Sequence, residues 1–399
     1  MLRPAAASRG IEKGVAFSLF ASLLLLEGCG MEAPQHEDWS TRDSAGVVIH
    51  TLHQASMGRE ALPVAIAENW EEPEGGFGRV VGGALTDSDA FVLDAQTARV
   101  YRYSPEGELL GSFGGPGDGP DEFRQPVAVS VNQDTVVVAD RQRSRMVRFS
   151  AAGAFVDGMR SNAPLYTGSV TPAGDVVAIS IGSGAEVGGG SSGATLLGSR
   201  LHVVVVGPAG SADTLLSTPG PRSLRVGGAS PPLPYQVLPQ VRSHPQGVAI
   251  LGGTRSDVMV LRSSGLVYTL NWPTAGAPLN DEEWEALRAR ALADAISPAA
   301  RPVIDRSFVP EARPERKPWA GRLVVDETSG VLWVQRAAPF YSADTVSWRL
   351  DTNRRRVDRL DLPSGSTILA AHDDRLLLRV EDRLGRHAVT VASWPRLTN

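Results

Sequence analysis

The 399 residues predict an all-β fold assembled from copies of one four-stranded unit, and three observations carry that prediction. First, Phe91-Val92-Leu93-Asp94 recurs as Val137-Val138-Ala139-Asp140, an offset of 46 residues. The match continues at the same offset: Arg99 falls on Arg145, Tyr101 on Val147, Tyr103 on Phe149, Ser104 on Ser150 and Gly107 on Gly153. Second, each copy contains short runs rich in β-branched or aromatic residues, such as Thr135-Val136-Val137-Val138-Ala139-Asp140 and Arg145-Met146-Val147-Arg148-Phe149. Runs of this length and composition are strands. Third, 42 Gly and 28 Pro are spread along the chain, and Pro105-Glu106-Gly107 and Ala151-Ala152-Gly153 sit at hairpin spacing.

A sheet of four strands cannot cover both of its own faces, but radial stacking against its neighbours does so, which makes a β-propeller the expected arrangement. The units are read at about 75–115, 121–160, 164–216, 234–273, 318–362 and 364–395. Three stretches fall outside the repeat, near 182–199, 217–233 and 275–317, and the remaining length suits six blades. The last unit shows only three strands, at about 367–371, 375–380 and 388–394. The strand-like run Ala45-Gly46-Val47-Val48-Ile49-His50 is expected to supply the fourth and close the ring, removing two open sheet edges. On that expectation, deleting residues 45–52 costs far more stability than deleting 30–42.

Among the insertions, 182–199 is Gly/Ser-rich and reads as a mobile loop. Residues 279–297, between blades four and five, predict the one inserted helix. Asn280 with Glu283 fits a capping box, Trp284, Leu287, Ala291 and Ala295 make one apolar stripe, and Ser297-Pro298 ends it. Residues 298–318 carry five prolines and read as an extended arm.

The N-terminus gives an address. Arg3, Arg9 and Lys13 precede an apolar run of 13 residues at 14–26, too short to span a membrane comfortably. It ends in Leu26-Glu27-Gly28-Cys29, which resembles a bacterial lipobox, with Glu27 in place of the usual small residue. The resemblance implies a signal peptide at 1–28, lipid attachment at Cys29, a tether at 29–42 and the propeller over 43–399. Cys29 is the only cysteine, so disulfides and thiol chemistry elsewhere are excluded, and acylation would occupy a thiol otherwise open to oxidation. Gly30 after the cysteine implies the outer membrane where the cell has one. A formal net charge of −5 argues against nucleic acid.

Residues 111–149 carry Gly114-Gly115-Pro116-Gly117-Asp118-Gly119-Pro120-Asp121-Glu122-Phe123-Arg124-Gln125-Pro126, then a valine-rich strand ending in Asp140, then Arg145-Met146-Val147-Arg148-Phe149. This order and spacing resemble an NHL-type propeller repeat, with Asp121 replacing a Gly, and Arg143 (Thr97 in the preceding unit) replacing an Asn. Residues 42–395 as a whole are similar to six-bladed propeller lipoproteins of environmental bacteria. That resemblance implies a fold and a location but no reaction.

Candidate chemistry is sparse. The repeated Asp94/Asp140 with Arg99/Arg145 read as ties between a strand and its turn, and the glycine-dense 114–119 as a loop between blades, since no Gly-Lys-Ser/Thr follows. Of seven histidines only His244 and His372 fall on inner strands, with Asp373 and Asp374 near the second. Two histidines fall short of the three ligands a catalytic zinc takes, so no metal or other cofactor is expected. No Gly-x-Ser-x-Gly or His-Glu-x-x-His is present. Arg79, Arg124, Arg242 and Arg322 each fall at or just before an inner strand and are expected near one mouth of the channel, where they could take an anion. The reading is therefore a membrane-tethered binding or scaffold protein for an envelope protein, peptide or glycan. A propeller-type metal-dependent lyase or lactonase and a structural part of an envelope complex are the alternatives.

Overall fold

The computed structural model describes residues 38–394 except 68–69, 133, 163–164, 172–174, 183, 190–192, 207–210, 232, 236, 253–256, 263, 273–276, 294–297, 338–345 and 383. The leader, Cys29 and most of the tether lie outside the described residues. Among those described, each stretch read as a repeat forms its own antiparallel sheet, apart from parallel edge strands added by the N-terminal segment. The first runs through Val80–Leu85, Ala90–Asp94, Arg99–Tyr103 and Leu109–Gly114, and the second through Pro126–Asn132, Thr135–Asp140, Arg145–Ser150 and Phe155–Arg160. The third begins at Thr167–Val170, the fourth at Gln240–His244, the fifth at Ala320–Val325 and the sixth at Ser366–His372. These first strands lie side by side in chain order, and Ser366–His372 returns beside Val80–Leu85. The sheets are thus arranged radially, as in a β-propeller.

The valine runs follow from this packing. Val136 and Val138 face a core shared with Phe91, Leu93 and Val100 of the first sheet, while Val137 and Ala139 face Val176, Ala178 and Val204 of the third. In the fifth sheet Leu332 and Val334 pack toward the fourth, and Val331 and Trp333 toward the sixth. Side chains alternate across a strand, so a strand covered on both faces must be apolar at successive positions.

The expected closure is corrected. Val47–Leu52 does not join the last sheet; it runs parallel to Gly265–Asn271 at the outer edge of the fourth, in a hairpin with Trp39–Ser44. The chain then adds Ala61–Leu62 beside Arg356–Asp361 of the fifth sheet and Ala65–Ile66 beside His387–Ser393 of the sixth, so the missing fourth strand is only two residues long. One segment therefore laces three consecutive outer edges before entering the first sheet, covering backbone groups that would otherwise be open. An outer edge accepts any extended partner. The hairpin's place is set by Trp39, fully buried beside His50, and by Leu52, which shares a core with Tyr268, Leu270 and Trp348. Residues 39–42 are accordingly strand rather than tether.

Two insertions also differ from expectation. Much of 182–199 is strand: Ala185–Gly189 and the long Ala194–Val206 belong to the third sheet, and Ala212–Val226 extends it, absorbing part of the 217–233 stretch. The glycines hid the pairing. The helix forms at Asp281–Ala293, where the Glu283 amide donates to Asn280 Oδ1 at 2.8 Å and the Asn280 amide to Glu283 Oε2 at 3.3 Å. Trp284 and Ala291 are buried against Ile304 and Phe308. Residues 298–318 fold back into a short helix at Arg301–Arg306 and a single turn at Pro310–Ala312 instead of an extended arm. Pro302 near the start of the first and Pro310 at the start of the second sit where a missing amide hydrogen costs nothing. No helix among the described residues is long and apolar enough to cross a membrane.

Candidate functional site

The radial order brings Arg242 and Arg322 together and leaves Arg79 and Arg124 apart. Arg79 and Arg124 are exposed, their backbone amides donate to Asp94 and Asp140, and the Arg124 side chain is paired with Asp118. Arg242 is the third residue of the fourth sheet's first strand and donates to its own neighbour's Val241 carbonyl at 2.9 Å. Arg322 is the third residue of the fifth sheet's first strand, and its Nε donates to the Ile368 carbonyl of the sixth. The strands are held in step by Gln240, which accepts from the Leu323 amide at 3.1 Å and donates to the Gly321 carbonyl at 2.9 Å.

A third guanidinium joins them. Arg379, in the second strand of the sixth sheet, donates to the Val80 carbonyl and to Thr367 Oγ1, each at 3.1 Å, and lies 3.6 Å from Glu381. Burial, then repulsion from Arg242 and Arg379, brings the Arg322 guanidinium down to about 9, and burial brings Arg242 down to about 10. Arg322 Nη2 and Arg379 Nε are buried with no hydrogen-bond partner among the described residues. No carboxylate of the described residues is within ion-pair distance of Arg242 or Arg322. The sequence signal for Arg379 was a charged residue closing the apolar run Leu376-Leu377-Leu378.

Glu327, in the turn after Ala320–Val325, is pushed up to about 8 by burial and, more weakly, by Asp326, against the pull of Arg242. The unfolded chain ionises this group near 4.5, whereas the folded chain keeps its proton until about 8. The folded state therefore binds the extra proton within that window, and its stability declines as pH rises through it. His244, brought down to about 4 by burial, acts in the opposite direction, but its contribution is complete by pH 6.5. Replacing Glu327 with Gln is expected to flatten the loss of stability between pH 6.5 and 8.5, an effect on the order of 1 to 2 kcal/mol. Parallel thermal melts at the two pH values check it; an equal decline in both proteins would exclude Glu327 as its source.

The two inner-strand histidines part company. His244 Nδ1 accepts the Gln246 amide at 3.0 Å and its Nε2 meets the Tyr268 hydroxyl at 3.3 Å, so both nitrogens are engaged in the fold. His372 instead faces carboxylates. Its Nε2 lies 2.9 Å from Asp87 Oδ1 of the first sheet's turn, and its Nδ1 lies 3.8 Å from buried Asp326. One ligand atom each from Asp87, His372 and Asp373 falls within 4.8 Å of the others. Asp87 escaped the sequence reading because it neighbours His372 only when the first and last sheets meet.

No family model matches the chain, and no curated protein matches it in sequence. Among solved structures, it is similar to a Bacteroides fragilis protein named as an exported protein, with a TM-score of 0.52 and 10% identity over 87% of this chain and 99% of that one. Looser overlays are found with virginiamycin B lyase from Staphylococcus aureus and a gluconolactonase from Xanthomonas campestris. The lyase overlay has a TM-score of 0.43 and 8% identity over 84% of this chain and 100% of that one. The gluconolactonase overlay has a TM-score of 0.37 and 13% identity over 85% and 99%. At these identities the likeness concerns fold alone. The chain is a β-propeller protein.

Proposed function

We propose that this chain is an exported, lipid-anchored six-bladed propeller with NHL-type repeats that binds an anionic group of an envelope peptide or glycan between its inner strands. The address rests on the basic start, the 13-residue apolar run and Leu26-Glu27-Gly28-Cys29. The observation that carries the binding reading is the convergence of Arg242, Arg322 and Arg379, two of them with a buried nitrogen left without a partner among the described residues. Like charges gathered in a poorly hydrated place raise the energy of the free protein, and a carboxylate, sulfate or phosphate relieves that repulsion while accepting the open N–H groups. Guanidinium suits this because its charge persists when desolvated and its donors match planar and tetrahedral oxyanions.

Calorimetric titration of the purified chain with inorganic phosphate, citrate and uronate-bearing or sulfated oligosaccharides, at low and high salt, tests the reading. Replacing Arg242 and Arg322 together with Gln is expected to weaken binding at least tenfold. The exposed pair Arg79 and Arg124, changed in the same way, should leave it within about twofold, since solvated surface charges contribute little. Equal binding by both double variants, with both still folded, would end the proposal.

A further inference from the structure

We propose that Asp87, His372 and Asp373 form a binding site for one divalent transition-metal ion, Zn2+ or Mn2+, which bridges the first and sixth sheets. Asp87 lies in the turn after Val80–Leu85, whereas His372 ends the sixth sheet's first strand and Asp373 follows it. The three ligand atoms lie within 4.8 Å of one another, and His372 Nε2 to Asp87 Oδ1 is 2.9 Å. Two donors each ~2.1 Å from an ion are roughly 3.0 Å apart at a right angle, so this separation already suits adjacent ligands.

The surroundings favour an ion independently of that spacing. His372 is buried, and its second nitrogen faces the Asp326 carboxylate at 3.8 Å. A carboxylate on the side of the far nitrogen is where the outer partner of a ligating imidazole sits. Asp326 is itself fixed by the Thr328 and Ser329 amides and the Ser329 hydroxyl, and it accepts the Asp373 amide at 3.1 Å, so this buried group holds the backbone of one ligand and lies beside another. Asp87 and Asp373 are exposed, leaving room for water to complete the shell. The Arg375 guanidinium, held on the Thr86 carbonyl at 2.9 Å, acts electrostatically on Asp87 and leaves His372 Nε2 facing the Asp87 carboxylate. One imidazole with two carboxylates is a set for a borderline cation, not for calcium, which takes six or more oxygens.

Such an ion has a structural consequence. The first and sixth sheets are the two ends of the radial array, and among the described residues no strand of one pairs into the other. A cation held by residues from both sheets binds the folded state alone, so it raises the unfolding temperature as its free concentration rises.

The test uses the full chain in detergent, stripped with chelator and titrated with zinc, manganese and calcium chlorides, read by calorimetry and thermal unfolding. Zinc or manganese is expected to bind once per chain and raise the melting temperature, and calcium to do neither. D87N and D373N should each weaken binding at least tenfold and remove that rise, with metal-free melting little changed. Asn is suited to position 373, where φ is 51°, because it tolerates the left-handed region. The Arg242 and Arg322 double variant should bind metal as the parent does, which separates this proposal from the anion reading. Absence of stoichiometric zinc or manganese binding, a preference for calcium, or unaltered binding in both D87N and D373N would overturn it.

Discussion

Replacing Asp38 with Ala is expected to destabilise the protein by about 3 kcal/mol, although the residue lies at the outer rim and before the first repeat. Asp38 is buried, and its carboxylate receives the Ser56 hydroxyl at 2.8 Å, the Val357 amide at 2.6 Å and both terminal nitrogens of Arg59. Arg59 Nη1 also reaches the Val357 carbonyl at 3.1 Å, so the N-terminal segment is locked onto the fifth sheet. Truncation leaves a buried amide and a hydroxyl without their acceptor, at roughly 1 to 3 kcal/mol for each buried group. Part of this is recovered because Arg59, 42% exposed, can turn to solvent. Asp43, exposed and bonded among the described residues to the Gly46 amide at 3.0 Å, is the control: its replacement with Ala should cost under ~1 kcal/mol. Urea unfolding of the two variants measures the contrast. Equal midpoints would mean that the lacing contributes nothing and that stability resides in the sheets alone.

That prediction differs from one made on sequence alone, which places residues 30–42 in a dispensable tether, and the reason shows what a sequence can carry. The repeated units were legible because burial on both faces forces successive apolar positions, as in Val136 to Ala139, and because turns demand Gly, Asp or Pro at fixed offsets. The helix at Asp281–Ala293 was legible because Asn280 and Glu283 satisfy local amides whatever surrounds them. Lacing was not. Ala61–Leu62 and Ala65–Ile66 are too short to show a period, and several open edges offer equivalent partners to Val47–Leu52. For the candidate sites the divide is the same. Arg242 and Arg322 occupy like positions in two repeats and could be paired by register, whereas Arg379 reaches Val80, and His372 reaches Asp87, only across the junction of first and last sheets. Those contacts span about 300 residues, and nothing local encodes them.

The second large effect concerns Asp94 and Asp140, whose repetition could be mistaken for a pair of ligand-binding groups. Asp94 is fully buried and accepts the Gly78 amide at 2.7 Å, the Arg79 amide at 2.9 Å, the Gln96 amide at 2.8 Å and, more weakly, the Thr97 amide at 3.4 Å. Asp140 does the same for Arg124 and Gln125 at 3.1 and 3.0 Å. Each carboxylate thus fixes the start of its sheet's first strand to the end of its second strand. The following turn needs the help, since Ala98 and Ser144, four residues after each Asp, hold φ at 53° and 47°, a region costly for residues with a Cβ. Arg145, buried beside Asp140, extends the brace by donating to the carbonyls of Gly119, Pro120 and Glu122. Asp94→Ala strands four amides, one of them weakly held, and is expected to cost about 3 to 5 kcal/mol; Asp140→Ala, with two amides, should cost about 2 to 4 kcal/mol. Asn at either position keeps one acceptor oxygen but presents NH2 to the remaining amides, so roughly half the loss should persist. Denaturant melts of the four variants give the order directly. Were Asp94→Ala to melt like the parent while losing a bound ligand, the carboxylates would be recognition groups and the brace would have to be sought elsewhere in the turn.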